Sequence, residues 1–516
     1  MTYQIDNGAG NILAAVAPAS GRAAITAIAL ATALTHLALA GRYDFFRNEL
    51  YFIICGRHPD FGYVDQPPLV PLLAAATQAF GENLWLLRLP AALAAASLVS
   101  LTGALARVLG GGGVAVVLAG VAAAIAPALM GVTTTLTTET LEPLAWTSTA
   151  YFLARGALKD DRGALIWAGL SAGLGMEIKY GMAIWLIGLA LGVALFARKL
   201  FATRALWIGV LIATLLAAPS LVWQAVHGWP FFEVIGTHNS THSIFTGTPL
   251  SFALQQVFAL NLILAPLWIA GVIAPFASKS LAGARFLSLA FVVAALIVFF
   301  GNGKDYYLFP AYPTLFAVGS VACAPLSKWI RWPWIALAIA QSLLLAPIVL
   351  PILNPPALAR FIDRTRLRPT PDEAAAIGAP LTQVFSDELG WRALEKSVAA
   401  VYRSLTPEEQ AHVAIIGSNY GEAAAIDFFG ATDNLPPALG GQNQYWLWGP
   451  RGHDGSVIIH VNGSEETWRR ACQSLSVAAT FGVPLAMPYE NDRPIFLCRG
   501  MRVPLQQAWP RFKRYR

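Results

Sequence analysis

The chain has 516 residues, 56% of them hydrophobic and 12% charged, with a net charge of +6. Soluble domains carry about 25% charged residues, so this composition is that of a membrane protein. Its Arg and Lys residues sit in short hydrophilic breaks rather than in a basic patch on a soluble face, which argues for topology signals and against nucleic acid as a partner. Residues 1–22 lack a charged segment followed by an apolar core and a cleavage site, so no removable signal peptide is expected.

A helix needs about 20 apolar residues to cross a bilayer. Eleven stretches qualify, near 22–40, 89–106, 113–129, 141–156, 163–178, 180–197, 205–223, 252–275, 284–300, 306–324 and 332–352. Only GLGMEIKYG (173–181) separates the fifth from the sixth. Arg107, RGALKDDRG (155–163), RKLFATR (198–204), SKSLAGAR (278–285) and SKWIR (327–331) fall in alternate connections, which the positive-inside rule puts in the cytoplasm. The other connections then face outward, together with everything after Leu353. Residues 1–353 read as a mainly α polytopic membrane domain, and 354–516 as a soluble extracytoplasmic domain.

The longest outward connection within the membrane part is 41–88. NELYFIICGR (48–57) mixes apolar and polar residues as a helix lying along the interface would. GYVDQPPLVPLLA (62–74) follows, with Pro67 and Pro68 enforcing an extended approach to the next helix. Arg42, Arg47, Arg57, Arg88, Lys179 and Lys304 lie on the outer side against the topological trend. The acids Asp44, Glu49, Asp65, Glu139, Glu142, Glu177 and Asp305 are available nearby, and Glu139 and Glu142 share a helix face. Singly, such groups snorkel, cap helices and pair with one another. As a set they point to a site that handles an anion and a proton together. Lipid-linked phosphate is the natural anion at a membrane surface, since it needs Arg or Lys for its charge. A nearby carboxylate would deprotonate an attacking hydroxyl. Together these describe a transferase using a donor activated by a lipid phosphate.

From about 354 the composition becomes that of an α/β domain of roughly 150 residues. HVAIIGSNYGEAAAIDFFG (412–430) reads as a buried strand, a turn and a helix, and GSVIIHVN (455–462) and RPIFLCRG (493–500) read as further strands. GSNYGEA lacks the lysine and glycine spacing of a phosphate loop. Cys472 and Cys498 could pair in an oxidising compartment but are read as unpaired buried thiols.

The sequence resembles the family-39 glycosyltransferases, the protein O-mannosyltransferase and aminoarabinose-transferase relatives of the GT-C superfamily. The resemblance rests on FFRNELYF and GYVDQPPLVPLL in the outer loop, TTETLEPLAW (137–146), GLGMEIKYG, LVWQAVHGWP (221–230) and GKDYYLFPAYP (303–313). NYGEAAAIDFFG, QYWLWGP (444–450) and MPYENDRPIFLCRG (487–500) resemble the soluble domain of bacterial members. It implies a polyprenyl-phosphate sugar donor and an envelope lipid, glycan or protein as acceptor. It further implies transfer on the outer face of the bacterial inner membrane, no required metal or other cofactor, and a catalytic acid in the first outer loop.

Where the family has Asp-Glu in that loop, this chain has Asn48-Glu49. An amide cannot accept a proton as a carboxylate does. The base is then Glu49, or Asp44 one helical turn before Asn48, with Arg47 holding the carboxylate ionised. Otherwise this branch is altered or inactive. Gln66 stands where some relatives carry a lysine, which moves phosphate binding to Lys179, Lys304, Arg57 or Arg88, with Tyr306 and Tyr307 as sugar-stacking residues or interfacial anchors. Asp65, Gln66, Glu139 and Glu142 are candidate substrate contacts. His227, His238 and His242 share an outer loop without a carboxylate to complete a metal site, and NST (239–241) matches a sequon by pattern only. Two other functions fit the same features: a transporter of a lipid-linked sugar, which discontinuous helices would favour, and a catalytically inactive binding relative.

Overall fold

The computed structural model describes residues 8–241, 248–368 and 376–516. Helix α1 (Gly8–Leu39) leads into the 41–88 loop, which folds as two short helices, α2 (Arg47–Arg57) and α3 (Leu69–Thr77). Then come α4 (Leu84–Val108), α5 (Gly113–Ile125), α6 (Pro127–Val132), α7 (Thr138–Lys159), α8 (Arg162–Ile178), α9 (Met182–Phe196) and α10 (Arg204–Val226). After α11 (Pro230–Thr241), the helical part ends with α12 (Pro249–Ala259), α13 (Ala265–Ala277), α14 (Arg285–Phe300), α15 (Tyr312–Cys323) and α16 (Lys328–Val349).

Helices occupy all eleven expected stretches, and the protein is a multi-pass membrane protein. Five among the described residues are each long and apolar enough to span alone: Gly21–Leu39, Leu84–Val108, Arg204–Val226, Lys279–Phe300 and Lys328–Val349. Three expected spans are irregular. The stretch 113–129 breaks between α5 and α6, where Pro127 cannot continue the hydrogen-bond ladder. The stretch 306–324 opens as a 3₁₀ turn over Asp305–Ala311 before α15. The stretch 252–275 is two helices, α12 and α13, bent by 104°. At that break Asn261 has φ +86°, its Oδ1 accepts from Ile263 N–H at 2.9 Å, and its Nδ2 donates to Ala338 O at 2.8 Å and Ser342 Oγ at 2.7 Å. A break at membrane depth survives only where such partners replace water. Helices α8 and α10 cross at Gly169 and Gly209, where a Cβ on Gly169 would lie 2.0 Å from the Gly209 carbonyl oxygen. Small residues let the two backbones touch, as is usual for helices packing in lipid.

The following segment adds α17 (Pro355–Thr365), α18 (Gln383–Ser386), α19 (Trp391–Arg403), α20 (Pro407–His412), α21 (Tyr420–Phe429) and α22 (Asn443–Leu447). Strands β1 (Val413–Gly417), β2 (Leu439–Gly440), β3 (Val457–Val461), β4 (Cys472–Phe481) and β5 (Arg493–Met501) form one sheet in the order β2-β1-β3-β5-β4. β1 runs parallel to β2 and β3, while β5 is antiparallel to β3 and β4. VAIIG and VIIHV are buried at every position, as parallel strands covered on both faces must be. The strand-turn-helix expected at 412–430 is present; the edge strand β4 has no such apolar run and was not foreseen. Cys472 and Cys498, expected as free thiols, are disulfide-bonded, because pairing β4 with β5 brings their Cα atoms to 5.8 Å.

Helix α2 does not lie on the membrane surface as its mixed sequence suggests. Leu50, Tyr51, Ile53 and Ile54 share one hydrophobic core with Trp391, Leu394, Val398, Ile426 and Ile459 of the α/β domain. The 41–88 loop is thus an interior layer between the helical part and the sheet. The α/β domain necessarily sits on the same face of the membrane as that loop.

Candidate active site

Helix α2 starts at Phe46, whose side chain cannot cap it. Glu49, three residues on, reaches back instead, and its Oε2 accepts from Phe46 N–H at 2.9 Å. Its Oε1 accepts from Leu136 N–H at 2.9 Å, and Arg88 donates to both oxygens at 3.0 and 2.8 Å. A carboxylate has about four acceptor positions, and here the chain's own groups fill them. Arg88, 2% exposed, spends its other donors on Ala40 O and Asp44 O, both at 2.8 Å, and on Glu388 Oε2 at 3.1 Å. Glu49, expected as base, and Arg88, expected as phosphate ligand, therefore form a closed structural ion pair. It ties the end of α1, α2, α4 and the α/β domain together. Burial pushes Glu388 up to about 8, so near neutral pH it carries its proton and one guanidinium faces one carboxylate.

The neighbouring charges are likewise engaged by the α/β domain. Asp44 accepts from Phe45 N–H at 2.9 Å and from Arg392 Nε at 2.8 Å. Arg47 pairs with Asp387 at 3.7 Å, donates to the Tyr489 hydroxyl and lies over the Tyr420 ring at 5.3 Å. Asn48 accepts through Oδ1 from the Tyr420 hydroxyl at 2.8 Å, a donor–acceptor match that needs no charge.

A different situation holds at residues 62–66, where the chain is not extended as Pro67 and Pro68 suggest: Tyr63 N–H donates to Gln66 O at 2.9 Å and closes a bend, and Pro68 already has helical angles at the start of α3. Asp65 is partly buried; its Oδ1 accepts from the Tyr51 hydroxyl at 2.9 Å and its Oδ2 from Asn443 Nδ2 at 3.0 Å. Burial outweighs those two donors and the backbone N–H of Asp65 itself, and lifts its carboxyl to about 6. That leaves lone pairs unfilled on a carboxylate that titrates near working pH. Beside it, Gln66 is 4% exposed, and its Nε2 has no hydrogen-bond partner. The Tyr180 hydroxyl, 8% exposed, also has none. Unpartnered buried donors are rare in folded chains and call for a ligand or water to complete them.

The turn between α8 and α9 carries Lys179. Its Nζ lies 3.0 Å from Glu139 Oε1 and 3.4 Å from Glu142 Oε2, on successive turns at the start of α7. It also faces the Tyr307 and Tyr306 rings at 4.9 and 5.4 Å, and Lys304 approaches Tyr306 from 5.5 Å. Gly181 gives Glu142 room here, since a Cβ would come within 2.5 Å of Glu142 Oε1 and the carboxylate would have to shift. The structure thus brings together Lys179, Lys304, Tyr306, Tyr307, Glu139 and Glu142, which the sequence scatters over 139–307. Lys179 is neutralised by its two acids, whereas Lys304 has no ion-pair partner among the described residues.

Arg57 ends α2 far from this group in function: it stacks on Phe428 at 5.0 Å. His227 stacks on Trp223 at 4.0 Å and bonds its backbone; His242 and the side chains of 238–241 lie outside what the structure describes. Among the described residues, no three His, Cys, Asp or Glu side chains converge as a metal site. Sequence reasoning missed Asp387, Glu388, Arg392, Tyr420 and Asn443 altogether. Arg88 and Glu388 are 300 residues apart, and no local pattern encodes such a partner.

Residues 65–223 match the family model described as dolichyl-phosphate-mannose-protein mannosyltransferase. That segment begins at Asp65 and includes Gln66, Arg88, Glu139, Glu142 and Lys179. A search of the curated proteins found no match. Among solved structures, ArnT from Cupriavidus metallidurans bound to undecaprenyl phosphate superposes with a TM-score of 0.61 at 17% identity, covering 92% of this chain and 97% of that one. The same protein in the apo state gives a TM-score of 0.61 at 17% identity, with 92% and 96% covered. The resemblance to family-39 glycosyltransferases read from the motifs is borne out, and the chain has the GT-C glycosyltransferase fold.

Proposed function

We propose that the protein moves a sugar from a polyprenyl-phosphate donor to an envelope lipid, glycan or protein on the non-cytoplasmic face of a bacterial inner membrane. The observation that carries this reading is the state of Asp65: a carboxylate with unfilled lone pairs, lifted to about 6, in the first outer loop. General bases work best with values near the operating pH. The acceptor hydroxyl attacks the anomeric carbon, its proton passes to Asp65, and the carbon–oxygen bond to phosphate breaks with the electron pair leaving on the polyprenyl phosphate. Lys304 and the buried donors of Gln66 and Tyr180 take the phosphate and sugar oxygens, with Tyr306 and Tyr307 as aromatic walls. Lys179 holds Glu139 and Glu142 in place beside the same wall. Glu49 and Asp44 drop behind Asp65 as base candidates because the chain itself saturates or pairs them. Support for a lipid-phosphate donor comes from the family model over 65–223 and from the relative with undecaprenyl phosphate bound. Support for the outer face comes from the alternation of Arg and Lys and from the Cys472–Cys498 bond, since disulfides persist in oxidising compartments.

The bent pair α12–α13 is a discontinuous helix of the kind transporters use, and it favours the second reading, a lipid-linked sugar transporter. Among the described residues, α12–α13 is the one apolar helix pair bent by more than 40° at its break. Purified protein incubated with a panel of undecaprenyl-phosphate sugars separates the readings. Donor turnover is expected; flux across vesicles without turnover would establish transport, and binding without either would establish an inactive relative.

A further inference from the structure

We infer that Asn443, on the α/β domain, is a positioning residue for Asp65, fixing the carboxylate of the first outer loop in the orientation that receives the acceptor's proton. The inference rests on the glycosyl-transfer reading above. Asp65 is held at both oxygens by groups from two distant parts of the chain: Tyr51 from α2 at 2.9 Å and Asn443 at 3.0 Å. Two donors on opposite oxygens stop the carboxyl from turning about its terminal bond. They leave its remaining lone pairs aimed in one direction.

Asn443 is itself tightly determined. It is 1% exposed and sits at φ +48°, a left-handed conformation that Asn tolerates better than other side-chain-bearing residues. Its backbone N–H donates to Arg514 O at 3.1 Å, its Oδ1 accepts from Arg516 N–H at 3.0 Å, and its Nδ2 also reaches Arg516 O at 3.1 Å. Residues held in sparse backbone regions persist where surroundings over-determine them, and they cluster at functional sites. The next residue completes the clamp. Gln444 N–H donates to the Tyr51 hydroxyl at 3.2 Å, and Gln444 Oε1 accepts from Val64 N–H at 3.1 Å. Residues 443 and 444 thus grip the loop at Asp65, at its neighbour Val64 and at the other donor to Asp65. Tyr515 packs on Val64 and Trp223 beside them.

The titratable groups facing Asp65 are Tyr51 and Cys55 from α2, Tyr180 from the α8–α9 turn and Tyr515 from the last residues. All are neutral through the pH range in which Asp65 titrates. The amide of Asn443 is therefore one of three direct donors tuning it, with the Tyr51 hydroxyl and the backbone N–H of Asp65 itself. A hydrogen bond to the ionised form favours that form.

The test uses full-length protein in nanodiscs with the undecaprenyl-phosphate sugar that the panel identifies. Asn443→Gly keeps the left-handed backbone and deletes the amide; Asn443→Asp keeps the shape and sets a second carboxyl against Asp65. Both should move the acid limb of kcat/KM against pH upward, Gly by about one pH unit and Asp by more. Undecaprenyl phosphate affinity should stay unchanged. If Gly fails to fold, the isosteric Asp variant carries the same readout. An acid limb that does not move, with activity lowered equally at all pH, would make Asn443 merely a fastener and overturn the inference. Full activity in Asp65→Asn is a separate outcome, which removes Asp65 as base and the inference with it.

Discussion

Two charged regions border α2, and they obey opposite rules. Around Glu49, Arg88 and Glu388, every carboxylate oxygen of Glu49 and the guanidinium are met by protein partners in a site closed to water. Around Asp65, Gln66 and Tyr180, polar atoms are buried yet incompletely met, and Lys304 of the aromatic cluster has no ion-pair partner among the described residues. The residue types are similar in both. The difference lies in saturation: a buried ion pair with all its hydrogen bonds made is scaffold, because a ligand would have to break what holds the chain together. A half-satisfied group costs stability and is tolerated where something else completes it. Charge density alone does not mark a catalytic centre; the balance of donors to acceptors does.

The sharpest way to break this contrast is to remove one carboxylate from each region. Asp65→Asn should lower turnover by about 10²–10⁴ with the unfolding temperature unchanged, as expected for losing a general base. Glu49→Gln should lose stability first. Turnover lost selectively in Glu49→Gln, with Asp65→Asn active, would exchange the two regions' roles. Next in size is Arg88→Met, which strands Glu49 without its cation and should cost about 3–5 kcal/mol, read in chemical or thermal unfolding. A neutral outcome would show that the ion pair is not the joint between α2 and the sheet.

A smaller effect is expected at the aromatic cluster. Lys304→Met should weaken undecaprenyl phosphate binding roughly ten- to a hundredfold, the worth of a charged contact, in a lipid-binding titration. Lys179→Met should weaken it as well, but with added loss of stability, because Glu139 and Glu142 would face each other uncompensated. Unchanged affinity in both variants would remove this cluster from the donor site.

The smallest effect is on pH dependence. Glu388 is raised to about 8 from an ordinary 4.5, so between those values the folded state holds a proton the unfolded chain has released. The fold therefore loses stability as pH rises from about 4.5 towards 8. Glu388→Gln cannot lose that proton, so its unfolding midpoint should fall less over the same interval. Parallel curves for the two proteins would mean that Glu388 is ionised in the native state after all.

Much of this was legible in the chain. The spans are readable because a bilayer demands long apolar runs, and VAIIG and VIIHV are readable because buried parallel strands need unbroken apolar side chains. The loop at 41–88 stood out because charge beside lipid must have a reason. The motifs carried the resemblance, and with it the fold. Tertiary structure alone decided which charges are chemistry. The sequence puts Glu49 and Asp65 in the same loop and favours Glu49 as base, with Asp65 as a substrate contact. Only folding brings Leu136, Arg88 and Glu388 to the first, and leaves the second with Tyr51 and Asn443. It also decided the bend at Asn261, the burial of α2 and the bond between Cys472 and Cys498. Periodicity and composition report a residue's own preference for water or lipid. They carry no record of the partner, often hundreds of residues away, that satisfies its hydrogen bonds.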